Sequence, residues 1–316
     1  MGEPASLDWK PIAATIGLVV LAWSWLLLPK LGGLGEMIAI AAPLLFFGVL
    51  VLHGVAFAFF TRVLVVISAI AWATSATVMI VSPRTPTHFA SPRDPVTLVA
   101  ANLHFTNTTP EQAGRDVVAR HADVVVISEG TPTTEGVIGG AYPYQLRSGR
   151  HGKRYGQFIV SRYPLRRHTL PHGLTNQAVL AEVMAPTPFL LLGVHLPRPG
   201  LQGVPYLGAQ VTFAGQRPQV SAVVRLTKES SLPVVVAGDL NVSDRTSAYH
   251  RLVAHRRDAM RASWARSTYM QFPWSLMLLR IDHVLIDHTW CAENAHRFHP
   301  SGSDHAAVEV AVGPCP

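Results

Sequence analysis

The stretch VVVAGDLN, residues 234–241, is a short apolar run that ends directly in an acid and an amide. A continuous apolar run bounded by polar residues is typical of a β-strand that is buried on both faces. Similar runs occur on either side of it, and they read VTLVAANL, DVVVIS, QFIVSRY, AVLAEVM, FLLLGVHL, IDHVLID and AAVEVAV. Helices are predicted between these runs at about 109–122, 218–228 and 247–261. The alternation predicts one α/β domain of a size that a single core can support.

Polar side chains stand at the ends of these predicted strands. They are Asn102, Glu129, His195, Asp239, Asn241, Asp282, Asp304 and His305. The ends of strands in a layered sheet fold meet at one rim, where ligand sites gather. Clustered carboxylates and amides suit a hard cation such as Mg²⁺ or Mn²⁺ rather than zinc, and such a cation can neutralise a phosphate oxygen. The set therefore predicts a metal-dependent site that hydrolyses a phosphoester.

Each of these residues also has an ordinary structural explanation when it is taken singly. The GDLN sequence fits a tight turn, in which Asp and Asn are chosen for their backbone preferences. Ser303-Asp304-His305 fits a cap or a turn, and Glu129 and His195 can be ordinary residues of the rim. The occurrence of the whole set, with an acid, an amide or an imidazole at an end of each of six strands, favours the functional interpretation.

The composition separates the chain into two parts. Its 316 residues are 49% hydrophobic and only 14% charged, whereas a soluble domain has roughly a quarter charged residues. Residues 1–82 contain three basic and three acidic side chains, so the formal net charge of +7 belongs to the remainder. This composition excludes a disordered chain, a collagen-like repeat and a disulfide-rich miniprotein.

The N-terminal part contains three long apolar runs, at about 11–29, 37–60 and 63–81. Each run reaches the roughly 20 residues that a helix needs to cross a bilayer. We therefore expect a membrane domain with three transmembrane helices over 1–82, a Pro- and Ser-rich linker over 83–95, and a catalytic domain over 96–316.

The orientation in the membrane is poorly indicated by these residues. With three spans, Lys10 and Arg62 lie on one side of the membrane, and Lys30 and Arg84 lie on the other. The two sides therefore carry nearly equal numbers of basic residues, and the positive-inside rule does not choose between them. Cys291 and Cys315 fit either a disulfide outside the cytoplasm or two thiols inside it. Neither observation decides the orientation.

The segments AANL, VVVISEG, GQFIVSRYPL, LGVHLP, VVVAGDLN, RIDHVLI and GSDHAAV occur in the order typical of one superfamily. Over residues 96–312 the chain resembles the endonuclease/exonuclease/phosphatase superfamily, which includes DNase-I-like nucleases, inositol-polyphosphate phosphatases and neutral sphingomyelinases. The resemblance implies a four-layer α/β sandwich, in which two packed mixed sheets are flanked by helices. It also implies a hydrolase that acts on phosphoester bonds.

By this resemblance, Asn102, Glu129 and Asp304 contribute to the metal site. Two departures from the family pattern stand nearby. Ser128 replaces the Gln that often precedes the metal-binding Glu, and Ala306-Ala307 replaces the usual Arg-Pro. Because the chemical side chains are retained at both places, the departures concern specificity more than activity.

The resemblance also implies the catalytic roles. Asp239 would position or deprotonate the attacking water, and Asn241 would hold that water or the phosphate. His195 and His305 would contact the scissile phosphate, and Asp282 would orient His305. The chain thus carries the family's chemical groups at the matching positions.

The basic residues leave the substrate open. They fit either a nucleic-acid surface or a face that lies against anionic lipid headgroups. Arg256 and Arg257 are predicted on the polar side of the helix over 247–261. Tyr155, just before a predicted strand, is a candidate substrate-binding residue. The apolar segment 264–279 fits either core packing or a lip that meets the membrane or a lipid tail.

We therefore expect a membrane-anchored, Mg²⁺- or Mn²⁺-dependent phosphoesterase or phosphodiesterase with a lipid-linked or extracytoplasmic substrate. The alternatives are a nuclease that acts on DNA or RNA and a catalytically silent, membrane-tethered binding module. The combination of spans and motifs resembles a bacterial membrane-anchored branch that includes a teicoplanin-resistance protein, whose catalytic domain is outside the cell. That resemblance favours an N-terminus inside the cell and an extracytoplasmic domain, and the oligomeric state is not predicted.

Overall fold

The apolar runs of the C-terminal part form two mixed sheets of six strands each. The structure is a computed structural model that describes residues 9–43, 45, 48, 62–148, 156–174, 177–202, 210–271 and 276–316. Its strands are β1 (Val96–Asn102), β2 (Val124–Gly130), β3 (Tyr144–Arg147), β4 (Gly156–Ser161), β5 (Leu165–His168), β6 (Ala178–Val183), β7 (Phe189–Val194), β8 (Gly200–Gln202), β9 (Gln210–Thr212), β10 (Val234–Asp239), β11 (Arg257–Asp258), β12 (Tyr269–Gln271), β13 (Leu276–Leu279), β14 (Asp282–Ile286), β15 (Trp290–Phe298) and β16 (Ala307–Pro314). Its α-helices are α1 (Trp9–Ser24), α2 (Gly33–Ile40), α3 (Arg62–Ala76), α4 (Pro110–Val118), α5 (Pro132–Gly140), α6 (Gln216–Glu229) and α7 (Ser247–Val253).

The strand order decides which strand ends are neighbours. The first sheet has the order β15-β16-β1-β2-β4-β3, and the second has the order β11-β14-β10-β7-β6-β5. The pairs β1–β2 and β7–β10 are parallel, so within each pair the carboxyl ends lie at the same edge. Strands β10 and β14 are antiparallel, with Asp239 directly opposite Asp282. The topology therefore collects polar residues that are far apart in sequence.

Both faces of the two sheets are buried, which is why their strands are continuously apolar. Leu98 and Val126 of the first sheet pack with Val235 and Val284 of the second in the inner core. On the outer faces, the first sheet packs against α4 and α5, and the second packs against α6 and α7. The predicted pair of mixed sheets flanked by helices is confirmed.

The helix predicted over 247–261 is wrong in its second half. Helix α7 ends at Val253, and Arg257–Asp258 form the short strand β11 before a 3-10 turn at Ala259–Ala262. Arg256 is buried, and its guanidinium reaches backbone carbonyls rather than solvent. The arginines here are therefore not the polar side of a helix. The chain turns inward because Asp258 is bound by buried partners from elsewhere in the domain.

The other two predicted helices agree better with the structure. The helix predicted over 218–228 lies within α6, and the one predicted over 109–122 corresponds to the shorter α4. His121, shortly after α4, has a φ of 54°, which lies outside the right-handed helical region. The backbone therefore leaves the helix before it reaches β2.

The chain divides into two compact units, Met1–Pro83 with Arg245–Ser247, and Arg84–Asp244 with Ala248–Pro316. Among the described residues, one helix, Arg62–Arg84, is long and apolar enough to cross a membrane, by length and composition alone. The first predicted span overlaps the shorter apolar helix Ile12–Ser24, and most of the second lies outside the described residues. Three transmembrane helices therefore stay a prediction.

The pairing of the two cysteines follows from the sheet. Cys291 lies in β15 and Cys315 follows β16, and these two strands are antiparallel neighbours. The two side chains form a disulfide. The alternative of two free thiols is therefore excluded in this structure.

Candidate active site

The carboxylate of Asp239 lies where the ends of strands from the two sheets meet. It is almost fully buried, and its Oδ2 accepts a hydrogen bond of 2.9 Å from Nδ2 of Asn102 at the end of β1. Its Oδ1 accepts another of 2.9 Å from the backbone N–H of Asn241. Both carboxylate oxygens are therefore fixed, and the bond from Asn102 joins the ends of strands from different sheets.

The backbone before Asp239 requires a glycine. Gly238 has a φ of 135°, and a Cβ at this position would lie 2.2 Å from the carbonyl oxygen of Val194 in β7. A side chain cannot be accommodated at that separation, so β10 can approach β7 only through Gly238. This close contact brings the end of β7, and His195 after it, next to Asp239.

His195 faces two carboxylates of the site. Its Nε2 lies 3.5 Å from Oδ2 of Asp239 and 3.6 Å from Oε1 of Glu129. Glu129 also accepts a hydrogen bond of 3.2 Å from the backbone N–H of Phe105, through its other oxygen. The imidazole is thus within reach of both acids but is not committed to a short hydrogen bond with either.

His305 is held by Asp282 from the neighbouring strand. The distance between Nδ1 of His305 and Oδ2 of Asp282 is 2.8 Å, and both side chains are buried. Burial alone would lower the pKa of His305, but the carboxylates of Asp282 and Asp239 outweigh it and raise the pKa to about 9. His305 is therefore a cation at neutral pH.

The second ring nitrogen of His305 is turned toward the centre of the site. Nε2 lies 3.9 Å from Oδ2 of Asp239, beyond hydrogen-bond distance, and it has no hydrogen-bond partner among the described residues. A buried N–H of a charged imidazole without a partner is costly and indicates a place for an acceptor. A phosphate oxygen is such an acceptor.

Three residues of the site have left-handed backbones, which non-glycine residues rarely adopt. The φ angles are 55° at Glu129, 47° at Asn241 and 56° at His104. Such conformations cost on the order of 1–3 kcal/mol each and cluster at functional sites. The bonds that hold Asn241, from its Nδ2 to the carbonyl of Leu196 and from its N–H to Asp239, offset this cost.

Three further residues belong to the site although the sequence did not single them out. Nδ1 of His104 lies 3.1 Å from Oδ1 of Asp304, and Nη2 of Arg198 lies 3.7 Å from Oε1 of Glu129. The ring of Tyr269 lies against that of His305, with centroids 4.8 Å apart.

Only one of these three carried a usable signal in the sequence. His104 stands two residues after the end of a predicted strand, the same spacing that separates Asp239 from Asn241. Tyr269 lies in the apolar segment 264–279, in which no sequence pattern distinguishes a site residue from a residue of the core.

The structure brings most of the predicted site residues together. Those that meet around Asp239 are Asn102, Glu129, His195, Asn241, Asp282 and His305. Asp304 lies on the same rim beside His104. Tyr155 lies outside the described residues, so its predicted role in substrate binding is not addressed by the structure.

The donor set fits a hard divalent cation better at Glu129 than at His305. Asp239, Asp282 and His305 place potential ligand atoms within 4.8 Å of one another. However, a hard divalent cation prefers oxygen ligands to the imidazole nitrogen of His305. Oxygen ligands remain, namely the carboxylates of Glu129 and Asp239 and the amide oxygen of Asn102.

Comparison with known structures shows the same fold in other proteins. An endonuclease/exonuclease/phosphatase from Bacteroides vulgatus is 16% identical and has a TM-score of 0.57, and the match covers 70% of this chain and 99% of that one. A humanised D. rerio TDP2 is 15% identical with a TM-score of 0.54, covering 70% and 100%. Sphingomyelinase C from Streptomyces griseocarneus is 16% identical with a TM-score of 0.51, covering 69% and 99%.

At these identities the structural likeness shows the fold alone. No curated protein matches the chain by sequence. The model of the Endonuclease/Exonuclease/phosphatase family, however, matches residues 70–305, which is most of the chain. That match ends at His305 and includes every strand end around Asp239. The chain therefore belongs to the endonuclease/exonuclease/phosphatase family.

Proposed function

We propose that this protein is a divalent-metal-dependent phosphoesterase or phosphodiesterase that is anchored in a membrane. Its family is generally hydrolytic and acts on phosphoester bonds. The observation that carries the proposal is the surrounding of Asp239 Oδ2, which lies 2.9 Å from Asn102 Nδ2, 3.5 Å from His195 Nε2 and 3.9 Å from His305 Nε2. A fixed base and two imidazoles around one point suit attack by water on phosphorus.

The chain's own residues account for most of the reaction. Asp239, oriented by Asn102 and Asn241, accepts a proton from the attacking water. His305, as a buried cation, donates a hydrogen bond to a phosphate oxygen as negative charge develops there. His195 contacts the phosphate from the side of Glu129.

A metal would be held mainly by Glu129, with the amide oxygen of Asn102 as a further donor. When bound there, Mg²⁺ or Mn²⁺ supplies a positive charge that neutralises phosphate oxygens. The resemblance assigns Asp304 to the metal; its Oδ1 lies 3.1 Å from Nδ1 of His104, and we propose that Asp304 supports the same site from its outer side.

Several observations support a membrane protein with an extracytoplasmic domain. The helix Arg62–Arg84 is apolar over 23 residues, and the sequence adds two further runs of spanning length. The disulfide between Cys291 and Cys315 is typical of oxidising compartments outside the cytoplasm. We therefore propose a multi-pass anchor with the second unit outside the cytoplasm.

A lipid-linked or extracytoplasmic phosphoester is the proposed substrate class, and the bilayer is the proposed partner. The half-exposed indole of Trp264 supports a lipid partner, because exposed Trp side chains are enriched at membrane–water interfaces. Nucleic acid is the second candidate, favoured by the net charge of +7 that the C-terminal part carries. A silent binding module is the third, and the complete set of acids and imidazoles argues against it.

The test is a hydrolysis screen with the full, detergent-solubilised chain. Phospholipids, isoprenoid pyrophosphates, DNA and RNA are offered with Mg²⁺, with Mn²⁺ and with EDTA. We expect one phosphoester class to be cleaved only with metal. Asp239→Asn should lower kcat on it by roughly 10²–10⁴-fold, which is the contribution of a general base.

Asp94→Asn is the matched control for this substitution. Asp94 is an exposed aspartate with a φ of 44°, which asparagine tolerates, so its replacement should leave kcat unchanged. Cleavage of nucleic acid alone would support the nuclease instead. If no class is cleaved with either metal, the enzymatic proposal is wrong and the binding module is favoured.

A further inference from the structure

A cavity of about 340 Å³ is lined by Asp282, and neither His305 nor Asp239 is among its lining residues. Its walls come from the loop after the 3-10 turn, from β14 of one sheet, and from β15 and β16 of the other. Among the described residues, Asp282 is the one member of the proposed active site that lines it. The cavity is therefore a separate space that touches the catalytic machinery only through this carboxylate.

Two arginines give one wall of the cavity a positive potential. Arg297 and Arg266 both line it. Burial lowers the pKa of Arg297, and the nearby positive charges of Arg266 and Arg84 lower it further. Like charges held close together repel one another, so an anion between them would be bound favourably.

The arginines that line the cavity differ in the contacts that they make within the fold. Arg297 donates a hydrogen bond to the carbonyl of Ser267 and so supports the loop. Arg266 is exposed, and it forms no ion pair with any residue in the described ranges. Arg280, which also lines the cavity, is neutralised by Asp244 at 3.2 Å and Asp258 at 2.6 Å. The available positive charge at the cavity is thus that of Arg266, reinforced by Arg297.

One carboxylate at the cavity is not available to a ligand. Asp282 uses Oδ2 for His305, and its Oδ1 has no hydrogen-bond partner among the described residues but also almost no accessible surface. The charged groups that a ligand in the cavity can reach are therefore the arginines. They require a ligand with anionic oxygens.

We propose that this cavity is a second ligand site, which binds a phosphomonoester. Its anionic oxygens contact Arg266 and Arg297. The volume of about 340 Å³ leaves room for the group esterified to the phosphate, with Trp264 as an apolar wall. The site is independent of the proposed hydrolysis, because no described residue other than Asp282 belongs to both.

The phosphate can come from a lipid headgroup or from a soluble ester. The backbone N–H of Ala265, between Trp264 and Arg266, donates a hydrogen bond of 3.0 Å to the carbonyl of Arg84. Arg84 is also the last residue of the apolar helix that begins at Arg62. The loop that lines the cavity is thus bonded to the residue where a membrane-crossing helix would emerge among headgroups.

The experiment measures binding to the full chain in detergent with EDTA, so that metal-dependent turnover is absent. Isothermal titration uses two probes, inorganic phosphate and dihexanoyl phosphatidic acid. We expect Arg266→Glu to weaken the binding of both by at least about tenfold, because it reverses the charge of an exposed side chain without removing a backbone support. Arg225→Glu, on the outer face of α6, is the matched control and should bind like the natural protein.

The probes distinguish the sources of the phosphate. Tighter binding of the phosphatidic acid supports a headgroup, and equal binding supports a soluble ester. The titration is repeated with Asp239→Asn to exclude phosphate held in the active site. The proposal is overturned if neither probe binds, if Arg266→Glu binds as well as Arg225→Glu, or if binding disappears only in Asp239→Asn.

Discussion

Strand β14 presents two consecutive residues, Asp282 and His283, to opposite faces, and each face contains a buried acid–histidine contact. On one face Asp282 bonds to His305, whose pKa is raised to about 9 against the effect of burial. On the other face burial, followed by the charge of Arg280, lowers the pKa of His283 to about 4. One buried imidazole is therefore a cation at neutral pH, and the other is neutral.

The difference lies in the neighbours and not in the depth of burial. His283 donates from Nε2 to the carbonyl of Val242 at 2.7 Å, and its Nδ1 lies 3.1 Å from Nη1 of Arg280. The arginine supplies the positive charge that Asp258 requires, so the imidazole stays neutral and holds the loop after Asp239. His305 has no such arginine, so it must itself carry the charge. One face of β14 thus supports the site, while the other carries the residues that we propose for its chemistry.

The largest expected effect is that of His305→Gln. Removal of the cationic imidazole should lower kcat on the substrate identified by the hydrolysis screen by about 10²–10⁴-fold, the range for a group that acts in the transition state. The free energy of unfolding should also fall, because Asp282 loses its buried cationic partner, so kcat is compared under conditions in which circular dichroism shows the variant to be folded. A variant that keeps its activity would show that His305 is structural, like His283.

Arg280→Met should affect stability rather than chemistry. It leaves Asp258 and Asp244 as buried charges without their arginine, and breaking a buried ion pair costs roughly 3–5 kcal/mol. The free energy of unfolding is measured in urea, with Arg225→Met as the exposed control. An Arg280→Met protein of unchanged stability would contradict the supporting role of this face.

The pH dependence of stability should report His283. Its folded pKa of about 4 is below the ordinary value of 6.5, so the unfolded chain binds the proton more readily. The contribution of His283 to the free energy of unfolding is therefore fully present above pH 6.5. It is lost as the pH falls toward 4, by at most about 3 kcal/mol.

His283→Asn is the variant that isolates this effect. It should be less stable at neutral pH but should lose less of its remaining stability between pH 6.5 and 4. Urea denaturation at several pH values gives both slopes. Equal slopes would assign the acid sensitivity to other groups.

The smallest effects concern two tyrosines, one beside each histidine. The Tyr249 ring lies 5.4 Å from that of His283, and its hydroxyl donates to Asp258 at 2.7 Å. Tyr249→Phe should lower the free energy of unfolding by about 1–2 kcal/mol and leave kcat unchanged. Tyr269→Phe should instead leave stability unchanged and lower kcat severalfold, because its phenol stands next to His305. The reverse pattern would contradict the division between the two faces.

The sequence predicted those parts of the fold that depend on local pattern. VVVAGDLN is recognisable as a strand because both of its faces are buried, and Asp239 is recognisable because the apolar run ends in a charged residue, which is itself buried. The rim could be predicted in the same way from Asn102, Glu129 and His195. These residues each stand next to the strand that positions them.

The parts that could not be predicted depend on partners far away in sequence. The helix over 247–261 fails because Asp258 is bound by Arg280, 22 residues further along the chain. Tyr269 is paired with His305 by an isolated β-bridge, which no periodicity of the sequence predicts. The cysteines could be paired only once β15 and β16 were known to be neighbours.

The register of β10 against β14 has one more consequence. Asp239 lies directly opposite Asp282, and like charges in this arrangement destabilise an antiparallel pair. Asp239 accordingly contributes to a raised pKa at Asp282, which reaches about 6 chiefly through burial. The sheet is therefore less stable than it would be with an amide at position 239. In the proposed reaction the same carboxylate is the base, so Asp239→Asn should relieve this repulsion while it lowers kcat.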